Sequence, residues 1–224
     1  MTTLLIVTVT LIALYYWYRR ARRQRQSRVI DSYRFHPAII NKFREVRPNL
    51  KPEQEEMVFN TLRDYFHLCH LVNGRRMIAM PSQVVDDAWH AFILHTRAYD
   101  KFCHDVFGRF LHHTPAQAMM APQKAQQGIK RAWTLICQRE EINPQTPHRI
   151  PKLFAIDREL AIPGGFYYVM DCGTPQRRHD GSYCASHIGC GSGCTGDSSS
   201  GSGCGGDSSG DSGCGGGGCG GGGD

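Results

Sequence analysis

The chain reads as mainly α: a small helical domain behind one amino-terminal transmembrane helix, followed by a disordered tail rich in Gly, Ser and Cys. Three observations predict this. Residues 1–18 carry no charged side chain. Between His36 and Arg139 the apolar residues recur at helical spacing. After Asp171 the composition narrows to Gly, Ser, Asp and Cys, with almost nothing to bury. The divisions that follow are an anchor over 1–18, a basic juxtamembrane linker over 19–35, a helical globular domain over 36–170 and a tail over 171–224.

The anchor reads LLIVTVTLIALYYWY from Leu4 to Tyr18. An 18-residue helix reaches roughly 27 Å, close to the hydrocarbon thickness of a bilayer. No basic stretch precedes it and no small-residue cleavage site follows, so it reads as a retained anchor and not a signal peptide. It has no polar face, which argues against a helix lying flat in the interface. Tyr15, Tyr16, Trp17 and Tyr18 form an aromatic belt, and Arg19, Arg20, Arg22, Arg23, Arg25 and Arg28 follow directly. Positive charge stays on the cytoplasmic side, which puts the amino terminus outside and the domain in the cytoplasm as a single-pass protein.

The formal net charge is +6, and residues 19–35 alone hold seven Arg and one Asp. The rest is therefore neutral, so the basic run reads as a topology signal that also attracts anionic lipid, and a nucleic-acid partner has no support. Ten cysteines would make a disulfide framework in a secreted chain. In the cytoplasm they are expected as free thiols or metal ligands.

Within the domain, the first helix is expected from Pro37 to just before Pro48. The second opens at Pro52, with Glu53, Glu55 and Glu56 where acids suit the helix dipole. Its apolar stripe is Val58, Leu62, Tyr65, Phe66, Cys69 and Val72, leaving His67 and His70 beside it at the surface or half-buried. Asn73-Gly74 ends it. Met77 to Met80 form a short apolar link to Ser82, which caps a third helix running to Phe107 and stopped by Gly108. A fourth helix spans Pro115 to about Ile142 with a break available at Pro122, packing through Ile129, Ala132, Trp133, Ile136 and Cys137. A short helix follows from Pro151 to Leu160, then a Pro163-Gly164-Gly165 turn and an extended apolar segment, Phe166 to Val169, that docks on the helices.

The tail repeats with a ten-residue period, GCTGDSSSGS from Gly193 and GCGGDSSGDS from Gly203. That period is too short for a solenoid and lacks the collagen pattern. Cys172, Cys184, Cys190, Cys194, Cys204, Cys214 and Cys219 lie in this region. They suit weak chelation of soft or borderline ions, or a redox-sensitive element.

The densest chemistry lies in VDDAWHAFILHTRAYDKFCHDVFGRFLHH, residues 85–113. On one unbroken helix Val85, Ala88, Trp89, Phe92, Thr96, Tyr99, Cys103 and Val106 form a core face, with His95 at its edge. Asp86 and His90 lie one turn apart on the other face, where the carboxylate co-ligates with the imidazole or fixes its tautomer. His104 is about 21 Å further along, too far to share an ion with His90. Two constellations remain: Asp86 and His90 with His112 or His113 if the chain folds back after Gly108, or His104 with His112. Each offers at most three ligands for zinc or another divalent ion, leaving open positions that suit reversible binding or catalysis. No H-x-x-x-H, C-x-x-C or H-E-x-x-H spacing occurs, and the alternative is a hydrogen-bonded packing cluster of His, Asp and Trp.

The run Asp86-x-x-Trp89-His90, with Tyr99, Phe102-Cys103, Gly108 and His112-His113-x-Pro115, resembles the core motif of the glycine-rich domain-containing protein family. Leu153-Phe154-Ala155-Ile156-Asp157, Leu160-x-Ile162-Pro163-Gly164-Gly165 and the Gly-rich end look like it too, so the resemblance covers residues 36–224. It implies a mostly helical domain, associated in plants with stress and development, and carries no catalytic mechanism. The plant members are much longer and lack this anchor.

Two functions are compatible with these readings. One is a membrane-tethered cytoplasmic module that binds a protein partner or a metal ion, with the tail for interaction or sensing. The alternative is a metal-dependent enzyme using Asp86, His90 and His112 or His113, with a bound water as nucleophile. A Ser/His/Asp triad signature, a phosphate loop and a dinucleotide fingerprint are all absent.

Overall fold

The computed structural model describes residues 1–72, 76–113, 122–170, 183–185 and 188, all within one compact unit, Met1–Ser192. Among them are seven helices: α1 (Thr2–Ser32), α2 (Pro37–Val46), α3 (Pro52–Leu71), α4 (Gln83–Leu94), α5 (Thr96–Phe107), α6 (Pro122–Arg139) and α7 (Lys152–Glu159). Two short strands, β1 (Tyr168–Val169) and β2 (Tyr183–Cys184), pair in parallel, Tyr168 opposite Tyr183 and Val169 opposite Cys184. The stop at Asn73-Gly74, the expected turn of helix from Pro115 to Ala121, and all the tail cysteines except Cys184 lie outside the described residues.

The first half of α1 is apolar, long enough to cross a membrane, and unburied. The same helix continues through the basic stretch, so residues 19–32 stand as a rod. Its last turns dock on the domain: Ile30 is fully buried, Asp31 meets His67 Nε2 at 2.6 Å and Gln26 meets His70 Nε2 at 3.1 Å. His67 is therefore 4% exposed. The expectation that it lies at the surface or half-buried fails because α1 covers it.

The helix expected from Ser82 to Phe107 is broken at His95, whose backbone (φ −87°, ψ 61°) is not helical. His95 Nδ1 donates to Ala91 O at 3.0 Å, and the chain restarts at Thr96. The break has a packing cause. α4 buries Val84 and Ala91 as well as Val85, Ala88, Trp89 and Phe92, so it is covered on more than one face, and α5 must turn to bring Tyr99 and Phe102 onto the same aromatic cluster. Phe66, Phe92, Phe102 and Tyr33 meet there with ring centroids 4.8 to 6.3 Å apart, a spacing that favours edge contacts. Cys69, Cys103 and Cys137 are buried free thiols.

The extended segment after Gly165 docks, and it brings a partner from beyond Asp171. β2 sits against β1, Ala185 is buried and Ile188 packs on the core. Residues 183–185 and 188, within the expected tail over 171–224, thus pack on the domain.

α4 is held from α7. Ser82 caps α4 with its hydroxyl on Val85 N at 3.2 Å. Ser82 Oγ itself donates to Asp157 Oδ1 at 2.7 Å, and the backbone N–H groups of Gln83 and Val84 donate to the same carboxylate at 2.7 and 3.1 Å. Phe166 N adds a fourth bond at 2.8 Å. Asp157 is 1% exposed, yet its charge is met by four donors and by the positive end of α4. Gly165 is required beside it, since a Cβ there would lie 2.9 Å from Asp157 Cβ. On the other flank Arg47 Nε pairs with Asp87 Oδ2 at 2.7 Å, fixing α2 to α4.

Asp157→Ala strands those donors and is expected to lower stability by about 3 kcal/mol or more, against about 1 kcal/mol for Ser82→Ala. Urea unfolding of the full-length chain in detergent measures both; two small and equal losses would contradict this role.

Candidate metal centre

Asp86 and His90 are one turn apart on α4 and project from the side that the core leaves open. The third member arrives by way of Gly108, which takes the left-handed conformation (φ 70°) and turns the chain back. Trp89 Nε1 donates to Tyr99 Oη at 3.1 Å, and Tyr99 Oη donates to Leu111 O at 2.5 Å. This relay pins the returning strand to the α4–α5 pair. Two residues on, His113 meets Trp89 edge-on with centroids 4.3 Å apart and His90 edge-on at 4.5 Å.

The ligand atoms of Asp86, His90 and His113 all lie within 4.8 Å of one another. Asp86 Oδ2 is 3.4 Å from His90 Nδ1, and Asp86 Oδ1 is 3.5 Å from His113 Nε2. Two atoms bound tetrahedrally at roughly 2.1 Å to zinc would be about 3.4 Å apart. Asp86 Oδ1 and His113 Nε2 are both buried, and neither has a hydrogen-bond partner among the described residues. Such orphaned polar atoms are costly to bury, and a cation between them would satisfy both.

Of the two alternatives left by the sequence, His113 is the one that joins Asp86 and His90. His112 is exposed and packs on Phe110 instead, at 4.9 Å. His104 faces out from α5 beside Asp100, at 3.5 Å, and belongs to no cluster with His112 among the described residues. The sequence reading missed the Trp89–Tyr99–Leu111 relay because it assigned Trp89 and Tyr99 to packing alone. On an unbroken helix two residues ten apart lie about 15 Å apart along the axis, so no signal in the sequence marked this contact.

The trio forms part of the wall of a cavity of about 820 Å³. Met80, Leu111 and Ile129 supply apolar wall, and Arg76 and Arg109 supply positive charge. The Met77–Met80 link is held as one wall by Tyr65 Oη on Ile78 O at 3.0 Å and by the Arg131 guanidinium on Met77 O. α6 approaches that link at Gly128, where a Cβ would lie 2.9 Å from Ala79.

Fold and site together define a class: a small helical domain on a long amino-terminal helix, with a three-ligand candidate metal centre beside a ligand-sized cavity. The chain belongs to the UCP032817-like family, an uncharacterised one, whose model matches residues 25–188. That match corrects the resemblance to the glycine-rich domain-containing protein family. It begins at Arg25, in the last turns of α1, and stops at Ile188, so it covers the packed domain, and the glycine-rich end that supported the resemblance lies beyond it. No curated protein and no solved structure matches the chain.

Burial pushes the Asp86 carboxyl up to about 6, with His90 opposing and the charges of Asp87 and Asp157 adding. Burial holds His113 down at about 4, helped by His90. A raised value in the folded state means that the Asp86 contribution to stability is full below its ordinary 3.8 and is lost as pH rises through about 6. The His113 contribution has the opposite sense, full above the ordinary 6.5 and lost as pH falls through about 4. In metal-free protein, Asp86→Asn is therefore expected to raise the denaturation midpoint at pH ~8 and to leave it unchanged or lower at pH ~4. An equal shift at both pH values would refute a desolvated carboxylate.

Proposed function

We propose that this protein is a membrane-tethered helical module that binds one divalent ion, zinc or a similar borderline ion, through Asp86, His90 and His113. The observation that carries this is the facing pair of buried, unsatisfied ligand atoms, Asp86 Oδ1 and His113 Nε2. The donor set suits the ion: imidazole and carboxylate bind borderline divalent cations, and the low basicity of His113 keeps it free of a competing proton. Three protein ligands leave a coordination position open, as in sites that exchange a ligand.

The tether reading rests on α1. Its apolar half is long enough to span, and the six arginines from Arg19 to Arg28 support the reading of a cytoplasmic domain with anionic lipid beside them. A protein partner would then meet the module at the membrane surface, and no nucleic-acid partner is proposed.

A second reading, a metal-dependent hydrolytic enzyme, is favoured by one observation: His112 lines the same cavity without belonging to the trio. It would accept the proton of a metal-bound water. Asp86 is the one carboxylate on the described wall and is already used as a ligand, so binding has more support than catalysis.

Full-length protein purified in detergent under reducing conditions is expected to carry about one equivalent of metal by elemental analysis. Asp86→Asn, His90→Ala and His113→Ala lose it, while His104→Ala and His112→Ala keep it. Metal that survives all three ligand variants would place the ion elsewhere and end this reading.

A further inference from the structure

The cavity lies at the end of the domain from which α1 departs. α3 runs antiparallel to α1, since His67 meets Asp31 and His70 meets Gln26. The carboxy-terminal end of α3 therefore points back along α1 toward its apolar half. α5 ends the same way: a Cβ on Gly108 would lie 3.1 Å from the Arg22 guanidinium. Arg22 is four residues past Tyr18, about 6 Å along a helix, and Gln26 is about 12 Å along. The headgroup layer of a bilayer is roughly 5–8 Å thick on each side of the hydrocarbon. With Tyr15 to Tyr18 at the interface, the turn at Gly108 sits at the level of the lipid headgroups.

The chain leaving these two helix ends builds one side of the cavity: Val72 and Arg76 after α3, Arg109 and Phe110 after α5. Leu71, Met77 and Phe110 are exposed apolar residues on the same side. Arg76 and Arg109 are exposed and have no ion pair among the described residues. Inside, Tyr65, Met80, Leu111 and Ile129 give apolar surface beside the Asp86–His90–His113 trio, and at about 820 Å³ the space suits one small ligand or one chain, not a two-chain phospholipid. Exposed apolar and basic residues together at headgroup depth match the two halves of an amphiphile.

We propose that the cavity takes the acyl chain of a single-chain anionic lipid drawn from the membrane, its acid headgroup paired with Arg76 and Arg109. This rests on the reading that α1 spans a bilayer with the arginines on the domain side, and it does not require the metal ion. The chain is held by burial of its methylenes and the head by charge, so neither a neutral lipid nor a short anion satisfies the site.

The test uses full-length protein in phosphatidylcholine vesicles with a palmitate that carries a photoactivatable diazirine in its chain. Labelled peptides are mapped by mass spectrometry and metal is assayed in the same samples. Saturable labelling within 71–80 and 108–113, competed by unlabelled palmitate and not by acetate, is the expected result. Arg76→Glu with Arg109→Glu, both exposed positions, should weaken it roughly tenfold, and Ala125→Trp, which fills the cavity, should abolish it. Labelling confined to 2–18, or labelling of the cavity peptides that neither variant changes, overturns the proposal. Absence of label on 2–18 sinks the membrane-span reading on which it depends, whereas cavity labelling without metal sinks only the metal reading.

Discussion

The Asp157 carboxylate, buried against the first turn of α4, is the constraint on which the rest of the domain depends. It accepts from Ser82 Oγ, Gln83 N and Val84 N on one side and from Phe166 N on the other. One charged group thereby ties α4, α7 and the β1 segment together, and the N-terminus of α4 offsets the cost of burying it. α4 is also the helix that carries Asp86, Trp89 and His90. Its position sets where the ligands project, and the Arg47–Asp87 pair on its flank keeps it from rotating.

From that fixed helix the site assembles in two steps. The break at His95 lets α5 fold onto the aromatic cluster, and the turn at Gly108 returns the chain to α4. Trp89 then serves twice, donating through Tyr99 to Leu111 and giving His113 a ring to rest on. The same turn that delivers His113 also sits beside Arg22 of α1. The candidate metal centre and the cavity therefore share one piece of backbone, and whatever occupies the cavity lies against Asp86, His90 and His113.

Much of this was legible in the sequence where local chemistry decides it. Pro37, Pro52 and the Ser82 cap mark the helix starts, and the 3.6-residue stripes of α3 and α4 identify their core faces. Asp86 and His90 were readable as a pair because one turn of helix fixes their separation. The His95 break was not readable: His95 has no intrinsic helix-breaking chemistry, and the cause is the tertiary demand that both halves pack on one cluster. The choice of His113 over His112 depends on Tyr99 reaching Leu111 across the turn, a contact no periodicity encodes. The role of Asp157 was not readable, since its four donors come from residues nine or more positions away. The docking of β2 was missed because 171–224 was read as one tail, although Tyr183, Ala185 and Ile188 precede the Gly/Ser repeat that begins at Gly193.

In the proposed site the ion is bound by the residues that α4 and the Gly108 turn bring together, and not by the cysteines further along the chain. Zinc K-edge X-ray absorption on the metal-loaded full-length protein tests it most directly. Nitrogen and oxygen neighbours at about 2.0–2.1 Å are expected, with outer scattering from two imidazole rings and no sulfur. A shell of sulfur at about 2.3 Å would assign the ion to cysteine and leave Asp86, His90 and His113 as a packing cluster.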